Sequence, residues 1–209
     1  MIRKRVRLRF SKLGDLRFIG HRDLVRALAR LFQRAGLKLS MSEGYHPKPR
    51  LHVPAALAVG LAGTDEVVEL ELAEDMTVEQ VLAAVRPHCP AGVRIRSADV
   101  PSAGTGKAEV VRAVFQLPVP VDRQAGLEQR IKAFLDGTSH SVQRQGRKTP
   151  VDIRPFVAGL MIVDDQLHIT LRVTRHGSAR PREVLAALQL ADLEQEGCFL
   201  TRTSMELRS

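Results

Sequence analysis

Residues 3–10 read Arg3-Lys4-Arg5-Val6-Arg7-Leu8-Arg9-Phe10, in which cationic and apolar side chains alternate from Arg5 onward. Successive side chains of an extended strand point to opposite faces. The period of two therefore places Val6, Leu8 and Phe10 on one face and Arg3, Arg5, Arg7 and Arg9 on the other. The segment reads as a half-buried strand with one apolar and one guanidinium-lined face. The rest of the chain must cover the first and answer the charge of the second.

A cover follows at once. From His21 to Leu37, Leu24, Leu28, Leu31 and Ala35, widened by Val25 and Phe32, recur at helical spacing and stop at Gly36. Arg22, Arg26, Arg30 and Arg34 follow one another at four-residue steps. Each step overshoots a helical turn by about 40°, so these four form one oblique basic ridge beside the buried stripe. Strands are expected at Leu51 to Val59 and at Glu66 to Leu72, where Val68, Leu70 and Leu72 alternate against Val67, Glu69 and Glu71. Thr77 and Gln80 form a capping box ahead of a short helix carrying Val78, Val81, Leu82 and Val85, which Pro87 ends, and Gly92 to Val100 is a further strand. The order β-α-β-β-α-β is that of a ferredoxin-like unit.

Pro101 to Lys107 has two glycines and no large apolar residue, the composition of a linker. Beyond it, Val111, Ala113, Phe115 and Leu117 alternate as a strand, and Leu127, Ile131, Phe134 and Leu135 mark a helix ending at Gly137. Strands are expected at Ser141 to Gln145, Val151 to Val163 and Gln166 to Thr174, the last two joined at Asp164-Asp165. A final helix begins near Pro181 and a final strand runs from Cys198 to Leu207. The expected fold class is α+β, with two tandem ferredoxin-like (βαββαβ) units of antiparallel sheet at residues 1–100 and 108–209, joined by 101–107.

Charge is concentrated at one end. The first fifty residues hold fourteen Lys or Arg against Asp15, Asp23 and Glu43, a surplus of eleven, whereas the whole 209-residue chain is +9. Such a patch suits a polyanion, because Lys and Arg displace counterions condensed on a phosphate backbone. Cys89 and Cys198 alone give neither a secreted disulfide framework nor paired zinc-ligand spacing. No apolar signal core follows the first arginines, and no window approaches the roughly 20 apolar residues of a membrane span. A cytoplasmic protein without metal or cofactor is expected.

Four places could carry chemistry. Arg94 and Arg96, out of phase with Val93 and Ile95, would join the arginines of the first strand on an open sheet face; alternatively Glu69 and Glu71 pair with those arginines across strands. Ser42 to His52 combines Gly44, the only Tyr (Tyr45), His46, Lys48, Arg50 and His52 with Pro47 and Pro49. It reads either as a stiffened anion-binding loop or as an ordered lead into an edge strand. His46 and His52 lack a third metal ligand at suitable spacing. His21 and Asp23 open the long helix, where His21 either caps or contacts an anion. The loop is expected to lie against that helix start, bringing Lys48 and Arg50 toward His21 and Arg22. In the second half, Arg154 and Arg180 form either a second anion clamp or ion pairs with Asp152.

Phe18-Ile19-Gly20-His21-Arg22-Asp23-Leu24, Arg34-Ala35-Gly36-Leu37, Ser42 to Leu51, Val151-Asp152-Ile153-Arg154-Pro155 and Arg180-Pro181 together resemble the radical SAM-linked protein family, an uncharacterised family found beside, or fused to, a radical SAM protein. The resemblance spans most of the chain. It departs at Gly20, where the family has Ser, at Tyr45-His46, where it has Phe-Asn, and at Lys48, where it has His. No catalytic residue transfers. What the resemblance implies is a partner, a radical SAM enzyme acting in trans, since this chain has no Cys triplet to hold an iron–sulfur cluster. The expected function is an accessory binding module that presents an anionic substrate, such as RNA, to that enzyme. A protein–protein adaptor and a metal-independent endoribonuclease using His21 or His46 are the alternatives.

Overall fold

The computed structural model describes residues 4–208, so Arg3 lies outside the described residues. The N-terminal alternation forms strand β1 (Lys4–Lys12), whose Val6, Leu8 and Phe10 are fully buried. Helix α1 (His21–Arg34) covers them with Leu24, Leu28, Leu31 and Phe32. It ends where Gly36 takes φ +75°, which lets the Gly36 N–H reach the Gln33 carbonyl and the Leu37 N–H reach that of Phe32, satisfying two otherwise orphaned acceptors.

The same core takes one face of β3 (Ala62–Leu72) through Val68, Leu70 and Leu72, with α2 (Val78–Val85) adding Val81 and Val85 and β4 (Val93–Asp99) adding Val93 and Ile95. Thr77 and Gln80 exchange the two hydrogen bonds of the capping box at the start of α2. Including the short β2 (Leu51–His52), the strands lie in the order β4–β1–β3–β2, every neighbouring pair antiparallel.

The second set comprises β5 (Glu109–Pro118), α3 (Leu127–Asp136), β6 (Ser141–Val142), β7 (Val151–Asp152), β8 (Val157–Val163), β9 (Gln166–Thr174), β10 (Gly177–Ser178), α4 (Pro181–Ala187) and β11 (Thr201–Arg208). Here β5 lies between β11 and β9, while β8 and β10 both pair with β9, and β6 pairs with β7 apart from the rest. Asp164 and Asp165 adopt φ 48° and 59°, the left-handed conformation that a two-residue hairpin between β8 and β9 requires. The chain is thus a mixed α+β protein with mostly antiparallel sheet and, among the described residues, four α-helices. It divides into two compact units, one up to Glu109 together with the chain end from Leu207, the other Val110–Glu206.

Three expectations are corrected. The strand over Leu51 to Val59 shrinks to Leu51–His52, because Pro54 has no N–H for the ladder and the following loop buries Leu57 and Leu61 instead. The single strand over Val151 to Val163 is broken by a 3-10 turn at Arg154–Phe156, centred on Pro155. The strand expected from Glu66 begins four residues earlier, at Ala62.

Three buried charges went unread in the sequence: Lys12, Glu66 and Arg202 are 1%, 0% and 4% exposed. The Lys12 ammonium donates to the Ile19 carbonyl at 3.0 Å, tying the end of β1 to the turn before α1. Gly63 pairs with Lys12, and the Glu66 side chain occupies the space that a Cβ at Gly63 would need. Because Glu66 is wholly buried, it cannot swing aside into water. Gly63→Ala is expected to lower unfolding stability by about 1–3 kcal/mol through overpacking, measured by denaturant titration.

Candidate functional site

The arginine face of β1 is answered within its own unit. Arg7 donates to Glu69 Oε1 from Nε (3.1 Å) and Nη2 (2.9 Å), and the Ala108 N–H donates to Glu69 Oε2 at 3.0 Å. Glu69 is only 2% exposed, so its charge is held by these donors rather than by water. Arg9 pairs with Asp65, Arg7 also approaches Asp99 at 3.8 Å, and Lys4 meets Asp75 at 2.6 Å. Arg5 binds the Thr105 carbonyl and hydroxyl and the Gly106 carbonyl, and Arg96 binds the Thr64 carbonyl. The open basic sheet face is therefore largely neutralised. The sequence reading counted only Glu69 and Glu71; Asp65 shares their phase along β3, which was the signal available.

Helix α1 differs. Arg22, Arg26, Arg30 and Arg34 are all exposed, as the four-residue spacing requires. Arg26 meets Asp23 at 3.2 Å in an exposed pair, while Arg22, Arg30 and Arg34 have no ion pair among the described residues. The ridge extends about 20 Å along the helix. His21 is half-buried at its start, with Nδ1 buried and unpartnered among the described residues, and no side chain caps the helix at Gly20.

The Ser42 to His52 loop lies at the opposite end of the sheet from the one expected. Its backbone is tied to the end of β3: Ser40 donates to Glu71, Glu71 to Arg50 and Arg50 to Ser40, with bridges joining Leu39 to Leu72 and Met41 to Pro49. Leu72 pairs with Lys4 at the start of β1, whereas α1 follows the far end of β1, where Lys12 pairs with Gly63. Eight residues of strand separate these ends, about 26 Å, so Lys48 and Arg50 are not brought to His21 and Arg22. The loop lies instead beyond the C-terminal end of α1, where Arg34 closes the ridge.

Within the loop, Tyr45 is 103% exposed, and His46 and Lys48 are exposed as well. The Lys48 backbone N–H donates to Ser42 Oγ, and its ammonium has no ion pair among the described residues. Arg50 donates Nε to the Met41 carbonyl and stands 3.8 Å from both Glu43 and Glu71. Arg50, His52, Glu71, Arg5 and Lys107 line a cavity of about 210 Å3. The segment read as a linker is pinned beside it, by Arg5 at residues 105 and 106 and by His52 Nε2 at 2.9 Å from the Ala108 carbonyl.

In the second unit, Arg154 is turned toward backbone. Its Nη1 donates to the Val157 carbonyl and its Nη2 to that of Leu135, the guanidinium lies 5.9 Å from the Phe134 ring centroid, and Nε is buried without a partner among the described residues. Asp152 accepts from the His140 and Arg154 backbone N–H groups instead of forming the expected ion pair. Arg180 is exposed and reaches Glu183 only at 3.9 Å. Glu183 is occupied by Arg144, which donates to both carboxylate oxygens at 2.7 and 2.8 Å. The structure thus brings no clamp of Arg154 with Arg180.

The sequence profile of a family described as "Uncharacterized protein conserved in bacteria (DUF2344)" matches residues 5–182. No curated protein matches the chain. Among solved structures, the crystal structure of an unknown protein from Galdieria sulphuraria aligns over 100% of both chains at 11% identity with a TM-score of 0.32. Another, provisionally described as a glycine cleavage system transcriptional repressor, covers 99% of this chain and 98% of its own at 11% identity with a TM-score of 0.27. No described helix is long and apolar enough to cross a membrane.

Burial by itself would raise the Glu183 carboxyl, but hydrogen bonds from Arg144 and the Arg180 N–H, together with both positive charges, hold it below the ordinary carboxylate value. A depressed folded value means the stabilisation is complete above the unfolded pKa and is lost as pH falls through the folded one. Arg144→Gln is expected to cost about 2 kcal/mol at neutral pH and to flatten the acid limb of the stability profile, read from thermal midpoints between neutral and acid pH.

Proposed function

The chain belongs to this uncharacterised bacterial family over residues 5–182, and from that premise we propose that it is a cytoplasmic accessory module whose first unit binds RNA along α1 on behalf of a radical SAM enzyme. One observation carries the binding half of the reading: Arg22, Arg30 and Arg34 stand exposed without ion pairs among the described residues, on a helix whose other stripe is fixed in the core. Elsewhere in the unit acids or carbonyls answer much of the cationic excess, so these side chains concentrate what is left for a partner. A rigid row of guanidiniums suits a phosphate backbone, which is contacted without regard to base. Tyr45 and Lys48, exposed beyond the end of the row, add a stacking surface and one more free cation.

The radical SAM partner rests on the resemblance at Phe18 to Leu24, Ser42 to Leu51 and Val151 to Pro155. The strand neighbours β4–β1–β3–β2, and β11–β5–β9 with β8 beside β9, support reading the two halves, about 1–100 and 108–209, as ferredoxin-like units.

Replacing Arg22, Arg30 and Arg34 together by Ala is expected to weaken single-stranded RNA binding and to flatten its salt dependence by about 2 units of log–log slope, each lost contact counting about 0.7. Circular dichroism should stay unchanged, because the three side chains are exposed. Unchanged affinity and slope would remove α1 as the RNA surface; retained binding of the radical SAM partner in that case would favour the adaptor. Lys48→Ala, measured in the same titration, is expected to lower the slope by about 0.7.

A further inference from the structure

The cavity beyond the end of the ridge has a chemistry that RNA backbone contact does not use. It measures about 210 Å3, smaller than the roughly 300 Å3 at which pockets for drug-sized ligands begin, which limits it to a small ligand or one part of a larger one. Glu69 on its wall is spent, both oxygens being held by Arg7 and the Ala108 N–H. Glu71 is not. Its Oε2 is buried and accepts no hydrogen bond among the described residues, and the nearest Arg50 nitrogen stands 3.8 Å away, too far for one. A buried acceptor left in that state calls for a donor. On the same cavity Lys107 is exposed with no ion pair among the described residues, and Arg50 adds a second cation. Arg5 holds residues 105 and 106 and so fixes where Lys107 begins.

A ligand for this cavity must present N–H donors to a carboxylate and, a few ångströms away, an anion to Lys107 and Arg50. A nucleotide does both, and the bases do it unequally. Guanine presents two adjacent donors, N1–H and the N2 amino group, to one carboxylate. Adenine and cytosine pair a lone amino group with an acceptor, and uracil sets its single N–H between two carbonyls. We infer that this cavity is a base-reading subsite that selects a guanine nucleotide, with Glu71 accepting from its base edge and Lys107 and Arg50 holding its phosphate. The inference rests on the RNA reading for its biological setting and adds to it a sequence preference that the arginine ridge lacks.

The test titrates the intact chain with GMP, AMP, CMP and UMP, and with single-stranded RNA with and without guanine. GMP is expected to bind at least about tenfold more tightly than UMP, the lower part of the range for a two-bond base contact. Glu71→Gln, which turns one acceptor into a donor, should abolish that preference. Lys107→Ala, an exposed change that leaves the fold intact, should weaken all four nucleotides alike and leave the preference standing. Equal affinity for the four, no nucleotide binding at all, or an unchanged preference in a folded Glu71→Gln variant would overturn the inference. So would a changed base preference in Lys107→Ala. RNA binding that depends on α1 but ignores guanine content would overturn this inference alone, whereas GMP selectivity without RNA binding would sink the RNA reading and keep the subsite.

Discussion

The carboxylate of Glu69 sets the terms for the first unit. At 2% exposure it is cut off from water and must find its donors within the protein, which it does: Arg7 through two bonds to one oxygen and the Ala108 N–H to the other. Removing either side of a buried ion pair strands the other at a cost of about 3–5 kcal/mol, so the pairing is obligatory rather than decorative. It joins the first strand, the third strand and the segment after Gly106 in one network, and His52 extends that network through the Ala108 carbonyl.

From this constraint the distribution of charge follows. The arginines of β1 lie across from β3, where Asp65 and Glu69 take up two of them. Their charge is spent on holding the sheet and its C-terminal extension together. The arginines of α1 lie on the outside of a helix whose inner stripe is core, and among the described residues only Asp23 is near enough to pair with one of them. A basic N-terminus thus separates into a structural half and an available half, which net charge alone does not reveal.

The sequence made the regular elements legible because one periodicity dominated each: two in β1 and β9, near 3.6 in α1. The exposure of Arg22, Arg26, Arg30 and Arg34 followed from the same arithmetic. What stayed hidden was tertiary. The position of the Ser42 to His52 loop depends on backbone hydrogen bonds to Glu71 and a bridge to Leu72, and no local pattern in the loop encodes which end of β3 it will join. Arg154 looked like an anion ligand because a guanidinium next to proline is common to both roles; the carbonyls of Leu135 and Val157 that claim it lie on separate segments. Nothing in the local pattern marks Lys12 for burial, which becomes intelligible from the turn carbonyls of Arg17 and Ile19 that its ammonium meets.

The central claim, that the α1 ridge is the RNA-facing surface, is tested most directly by titrating the isotopically labelled chain with a short single-stranded RNA and following backbone and arginine side-chain resonances by NMR. The account predicts shifts concentrated at the side-chain N–H groups of Arg22, Arg30 and Arg34 and at the backbone of Tyr45 to Lys48, with Arg7 and Arg154 unmoved. Shifts confined to β1 and β4, or to the second unit, with the α1 arginines silent at saturating RNA would contradict it.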